Sequence, residues 1–223
     1  MIGDAPMKID TILFDLDGTL VDSNELILET FRLTLATYFP QITFSRSELI
    51  DMVGPPLYET FGKLTNDLTL VNTMINNYRH VYRQIEFDYI HLYPGVIDAL
   101  RYFHEHHFHI AIITTKFKES AAPCLAYYNI NQYFDLIIGL EDVASPKPNP
   151  EAVLKALNFF HSHNAVMIGD NISDLLAGKN AGILTCGVNW SYKRDLLIKT
   201  NPDFWIKDFY ELVPMIQKYN QEA

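Results

Sequence analysis

Ile9-Asp10-Thr11-Ile12-Leu13-Phe14-Asp15-Leu16-Asp17-Gly18-Thr19-Leu20 is the stretch on which the fold turns. Its first half is a short, apolar, β-branched run, the pattern of a strand buried on both faces. Asp15 extends that run with a charge, which is costly in apolar surroundings unless it is paired or binds a metal. Asp15 and Asp17 are two apart, so they point to the same side of an extended chain. Asp-Gly is also a common turn signal, and a strand that merely leads into a turn is the plainer alternative. Two carboxylates forced together nevertheless suit a hard cation with oxygen ligands. They also suit two different proton duties, because neighbouring carboxyl groups push their pKa values apart.

Outward from this run, similar ones recur at His109–Thr114, Asp135–Leu140, Ala165–Ile168, Ile183–Val188 and Phe204–Ile206. Helical spacing lies between them. Val96, Leu100 and Phe103 share one face after Pro94-Gly95, and Val153, Leu154, Leu157 and Phe160 share another. A short helix over Asp174–Ala181 is stopped by Gly182. Strand alternating with helix predicts an α/β fold with a doubly wound, mostly parallel sheet. One segment breaks the rhythm: from Asp22 to Leu92 no strand pattern occurs. Asp22 with Glu25 and Ser45 with Glu48 resemble capping boxes, and residues 66–87 read as one long helix. The chain is therefore expected to be a discontinuous core, 8–21 and 93–219, with an all-helical insert over 22–92.

The 223 residues are 48% hydrophobic, enough for a sizeable core, and the net charge is -10. Without a lysine or arginine run, nucleic acid is not an expected partner. Cys124 and Cys186 lie in apolar surroundings and fit a reducing compartment. The start, Met1 to Lys8, has no apolar leader core, and no run reaches the roughly 20 residues of a membrane span. The expectation is a cytoplasmic protein without a membrane partner. His104, His106, His107 and His109 crowd a helix end, where cations are favoured for electrostatic reasons; zinc is the lesser alternative. Tyr78, Tyr82 and Tyr89 are expected to pack the insert.

Three more strand ends carry polar residues. The second expected strand ends at Thr114, followed by Thr115 and Lys116. The loop after the third holds Lys147 between Pro146 and Pro148, which stiffen its backbone. The fourth ends in Gly169-Asp170-Asn171-Ile172-Ser173-Asp174. Taken singly, Thr114 and Asp170 could be helix caps and Lys147 a surface lysine. Taken together, they bring acid, hydroxyl and amine to the carboxyl edge of one sheet, where open α/β folds keep their ligand crevice.

These segments, in this order, resemble the haloacid dehalogenase-like superfamily. Asp15-Leu16-Asp17-Gly18-Thr19 is similar to its first motif, the run closing at Thr114 to its second, Lys147-Pro148-Asn149-Pro150 to its third, and Gly169-Asp170 through Asp174 to its fourth. The insert resembles the helical cap of the phosphoglycolate phosphatase-like branch. The resemblance implies phosphohydrolase chemistry: Asp15 as nucleophile, Asp17 as acid and base, and Thr114, Thr115 and Lys147 on the phosphoryl oxygens. It implies Mg2+ held by Asp15, Asp170 and the backbone carbonyl of Asp17, with Asp174 supporting. The breaker Gly54-Pro55-Pro56 should form a turn between two insert helices, and Gly54 and Pro55 are expected to bind substrate. The text around it is similar to the Gram-positive inorganic pyrophosphatases of this superfamily, with phosphoglycolate phosphatase the runner-up. A small phosphorylated substrate is the expected partner, and the oligomeric state is left open. Mutases and a non-catalytic binding protein are the remaining alternatives; Asp17 argues against dehalogenases, which lack the second aspartate.

Overall fold

The computed structural model describes residues 8–223, so most of the stretch behind the no-leader expectation, residues 1–7, lies outside the described residues. The elements run β1 (Thr11–Phe14), β2 (Val21–Asp22), α1 (Asn24–Tyr38), α2 (Arg46–Met52), α3 (Leu57–Gly62), α4 (Leu68–Tyr89) and β3 (His91–Leu92). They continue α5 (Val96–Glu105), β4 (His109–Ile113), α6 (Lys118–Tyr127), β5 (Leu136–Ile138), α7 (Glu151–Phe160), β6 (Ala165–Gly169) and α8 (Ile172–Asn180). The chain closes with β7 (Leu184–Val188), α9 (Arg194–Lys199), β8 (Phe204–Ile206) and α10 (Leu212–Glu222). Two compact units result: residues up to Val21 with Leu92–Ala223, and Asp22–His91.

The first unit is an α/β sheet of order β5-β4-β1-β6-β7-β8, with every pairing parallel. The apolar runs form its middle because a strand covered on both faces tolerates no polar side. All of β1 and β6 is buried. Leu13, Ile113, Val153, Leu157 and Met167 belong to one core cluster under α7 and α8. Each such side chain, fully buried, contributes about 1.5–3 kcal/mol. The chain reverses its order at β1, whose neighbours are β4 and β6. That reversal opens a crevice beyond the carboxyl ends of these strands.

The second unit is four helices. Its core is aromatic: Phe31 packs against Tyr78 (ring centroids 4.8 Å apart) and Phe61 (5.8 Å), and Tyr82 stacks on Tyr78. Tyr89 is instead partly exposed. Ser45 and Glu48 form the expected capping box of α2. The other expected box is corrected: α1 starts at Asn24 after Ser23, and neither Asp22 nor Glu25 caps it, because Asp22 is still in β2. The strands β2 and β3 were not foreseen, since two residues carry no readable period. Leu154 is a second correction: it is 43% exposed, and α7 buries Ala152, Val153, Ala156 and Leu157 instead. The crowded histidines have separate ring partners, His104 on Tyr133, His106 on Tyr102 and His109 on Phe160. Cys124 and Cys186 are buried and are not joined in a disulfide. No helix of the described residues is long and apolar enough to cross a membrane.

Candidate active site

Strand register sets the level of the site. Phe14 aligns with Ile112 of β4 and with Ile168 of β6. Asp15, the next residue, donates its backbone N–H to the Ile168 carbonyl (3.0 Å), and Thr114 donates likewise to Ile138 (3.0 Å). Asp170 follows the last residue of β6. Asp15, Thr114 and Asp170 thus stand side by side at the carboxyl edge, each less than a tenth exposed. Their position follows from apolar runs that end one residue short of a polar one. The regular strand stops at Phe14, so simple alternation does not govern Asp17, which sits in an isolated bridge with Val21.

Lys147 ties the edge together. Its Nζ donates to Asp15 Oδ1 (2.7 Å) and to the Ile113 carbonyl (2.7 Å), and meets Asp174 Oδ1 at 2.6 Å. An ammonium has three protons, and these three oxygens account for them. The loop that delivers Lys147 is anchored by Glu151 at the start of α7, whose carboxylate accepts from the backbone N–H of Ala144 (3.0 Å) and Ser145 (2.9 Å). Lys155 and those two N–H groups push Glu151 down to about 2. The Lys147–Pro148 peptide is cis.

Asp174 is set by the first turn of α8: Asn171 caps the helix, and its N–H donates to Asp174 Oδ2 (2.9 Å). Asp170 is therefore not the helix cap. Its carboxylate accepts from Thr19 Oγ1 (3.3 Å), and its carbonyl from Ser191 Oγ (2.6 Å). Gly18 is required beside it: φ is +80°, and a Cβ would lie 2.4 Å from Asp170 Oδ2. Trp190 Nε1 donates to the Gly18 carbonyl (2.9 Å) and fastens the turn from behind.

Among the described residues, Asp15, Asp170 and Asp174 form a group whose oxygens lie within 4.8 Å of one another. Burial pushes Asp15 up to about 7, partly offset by Lys147 and added to by Asp174 and Asp17. Burial, with Asp15 and Asp174, raises Asp170 well above the usual carboxylate range. Burial would lower Lys147, but Asp15 and Asp174 outweigh it and raise the ammonium. Three buried carboxylates against one shared ammonium leave negative charge that a divalent cation would neutralise, and hard oxygen donors suit such an ion.

Of the residues expected from sequence, Asp15, Lys147, Asp170 and Asp174 come together directly. Thr114 stands at the same edge, its Oγ1 accepting from the Lys116 N–H (3.1 Å), and Thr115 follows it. Asp17 faces Lys116, which reaches it at 2.9 Å. Gly54 and Pro55 form the turn between α2 and α3 in the helical unit, and Gly54 has φ +111°. Thr19 belongs to the first motif but had no role assigned, and Lys116, Trp190 and Ser191 were not expected at the site. Lys116 carried one readable signal, its place two residues after Thr114. Trp190 and Ser191 carried none, because they follow β7, whose end bears no charge.

A parallel sheet with two acids on its first strand end, a buried lysine and a further acid pair defines a class. A family model described as haloacid dehalogenase-like hydrolase matches residues 12–188, and the chain belongs to that family. It is 37% identical to pyrophosphatase PpaX of Halalkalibacterium halodurans over 213 residues, covering 94% of this chain and 98% of that protein. It is 39% identical to pyrophosphatase PpaX of Bacillus pumilus over 211 residues, covering 93% and 96%. Among solved structures, a haloacid dehalogenase-like hydrolase from Bacteroides fragilis superposes with a TM-score of 0.84 at 27% identity, covering 92% of this chain and all of that one.

Proposed function

We propose that this chain is a magnesium-dependent inorganic pyrophosphatase that works through a phosphorylated Asp15. The observation that carries the reading is the buried Asp15 carboxylate, held by Lys147 at 2.7 Å beside Asp170 and Asp174. Its relatives named pyrophosphatase select the substrate from the phosphorylated small molecules such a site accepts.

Lys147 aims Asp15 so that one oxygen faces phosphorus. A bond forms from Asp15 to phosphorus while the bridging P–O bond breaks, its electron pair staying with the departing phosphate. Asp17 gives a proton to that oxygen. Water then attacks the same phosphorus, Asp17 takes its proton, and Asp15 is released. Splitting one displacement into two lowers each barrier. Asp15 and Asp170, with the Asp17 carbonyl and support from Asp174, would hold Mg2+, which offsets repulsion between carboxylate and substrate. The Thr114 hydroxyl and the Thr115 backbone serve the non-bridging oxygens. Phosphoglycolate is the runner-up substrate.

The segments 8–21 with 93–219 act as the catalytic core, and 22–92 as a specificity cap. Gly54 and Pro55 belong to that role, so substituting their turn should reorder substrates, whereas Asp15 or Asp170 variants should lose all of them. Two buried cysteines outside any disulfide support a reducing, cytoplasmic setting.

The test is phosphate release with Mg2+ over a panel of pyrophosphate, phosphoglycolate and nucleoside triphosphates. Pyrophosphate should have the highest kcat/KM. A nucleotide or phosphoglycolate at the top would overturn the assignment.

A further inference from the structure

Lys147 spends its three protons on protein oxygens, so it positions the nucleophile. A second ammonium stands at the same edge. Lys116 Nζ meets both oxygens of Asp17, at 3.0 Å and 2.9 Å, and the two side chains are only 17% and 16% exposed. Surface ion pairs of lysine are loose and worth little; this one is mostly out of water and its backbone is clamped. The Lys116 N–H donates to Thr114 Oγ1 (3.1 Å), and its carbonyl accepts from the Leu140 N–H (2.9 Å). Gly139 allows that approach, since a Cβ there would lie 2.9 Å from the Lys116 carbonyl oxygen. Two residues on, the Lys118 N–H donates to Glu141 Oε1 (2.9 Å). The loops after β4 and β5 therefore hold Lys116 between the hydroxyl of Thr114 and the carboxylate of Asp17.

Asp17 is the group that meets the leaving oxygen. A cation fixed on it is a cation fixed at the leaving-group side. An alcohol leaving from a monoester brings no further charge there once protonated. Phosphate leaving from pyrophosphate brings several anionic oxygens, and they need donors where their charge develops. We infer that Lys116 selects a diphosphate over a phosphomonoester, by donating to the non-bridging oxygens of the departing phosphate. This inference rests on the pyrophosphatase reading and names the residue responsible for it. The bonds that form and break are unchanged: Lys116 transfers no proton and keeps its charge throughout.

The experiment compares pyrophosphate with phenyl phosphate, under saturating Mg2+, for the wild type, Lys116→Met, Lys116→Gln and Lys116→Arg. Circular dichroism and melting temperature check that each variant is folded, and the two neutral variants guard against one failing. The ratio of kcat/KM for pyrophosphate to that for phenyl phosphate should fall by about 10²-fold in a neutral variant, the size of losing one transition-state donor. The fall should sit mainly in kcat, and Lys116→Arg should keep most of the preference. An equal fall on both substrates would mean that Lys116 only steadies Asp17, and the inference would be wrong. No fall on either would also overturn it. A wild type that fails to cleave pyrophosphate would instead remove the underlying reading, a result visible before any variant is made.

Discussion

The helical unit and the sheet edge bury opposite things. In the helical unit Phe31, Phe61, Tyr78 and Tyr82, all under a tenth exposed, pack ring against ring. At the sheet edge the charged residues under a tenth exposed are Asp15, Lys147, Asp170 and Asp174. Rings gain from leaving water and from tilted contact. Buried charges lose hydration, and their mutual attraction offsets that only when every oxygen is paired. Here burial, added to by the crowding of like charges, raises the proton affinity of Asp15 and Asp170. One region therefore gains stability from burial, and the other concentrates buried charge. Substitutions should separate the two, harming activity at the edge and stability in the helices.

The largest effect should come from Asp15→Asn. The amide is a poor nucleophile, so kcat should fall by at least about 10⁴-fold, or about 5.5 kcal/mol of barrier. The melting temperature should hold or rise, because one crowded charge is gone. A folded Asp15→Asn protein with appreciable turnover, or one that melts far lower, would break the contrast. Phe31→Ala should do the reverse. Emptying that ring site should cost about 3–5 kcal/mol in urea unfolding followed by circular dichroism. A loss under about 1 kcal/mol would mean the aromatic cluster is not what holds the helical unit.

Metal should sharpen the difference further. Chelation should abolish turnover and Mg2+ restore it, since Asp15, Asp170 and Asp174 offer hard oxygens. At Mg2+ a hundredfold above its Kd, the unfolding free energy should rise by about 2.7 kcal/mol, by mass action. An Asp170→Asn variant should lose most of that rise. Full activity in excess EDTA would contradict the metal assignment. The smallest effect belongs to Ser45→Ala, which deletes the capping box of α2. It should cost about 1 kcal/mol of stability and leave kcat on pyrophosphate unchanged.

The lessons from sequence are uneven, and the reasons are physical. The long apolar runs were readable because a strand inside a parallel sheet has no polar face to hide its pattern. Their ends were readable because a charge after such a run is costly. Short elements were not: β2 and β3 have two residues each, and Asp22 mimicked a cap while belonging to a strand. Leu154 looked like core by spacing yet faces solvent, since alanines at 152 and 156 fill that face of α7 instead.

Local pattern alone determined that this chain alternates strand and helix, interrupts itself with a helical stretch, and ends three buried strands in Asp15, Thr114 and Asp170. That much depends on neighbours along the chain, where periodicity and burial speak directly. Only the tertiary structure decided which ammonium meets which carboxylate. Lys147 reaches Asp15 and Asp174, Lys116 reaches Asp17, and Trp190 fastens Gly18 across 172 positions. Those pairings depend on the order β4-β1-β6 and on loops pinned by Glu151 and Gly139. A charge carries no mark of its partner until the sheet sets the distance between them.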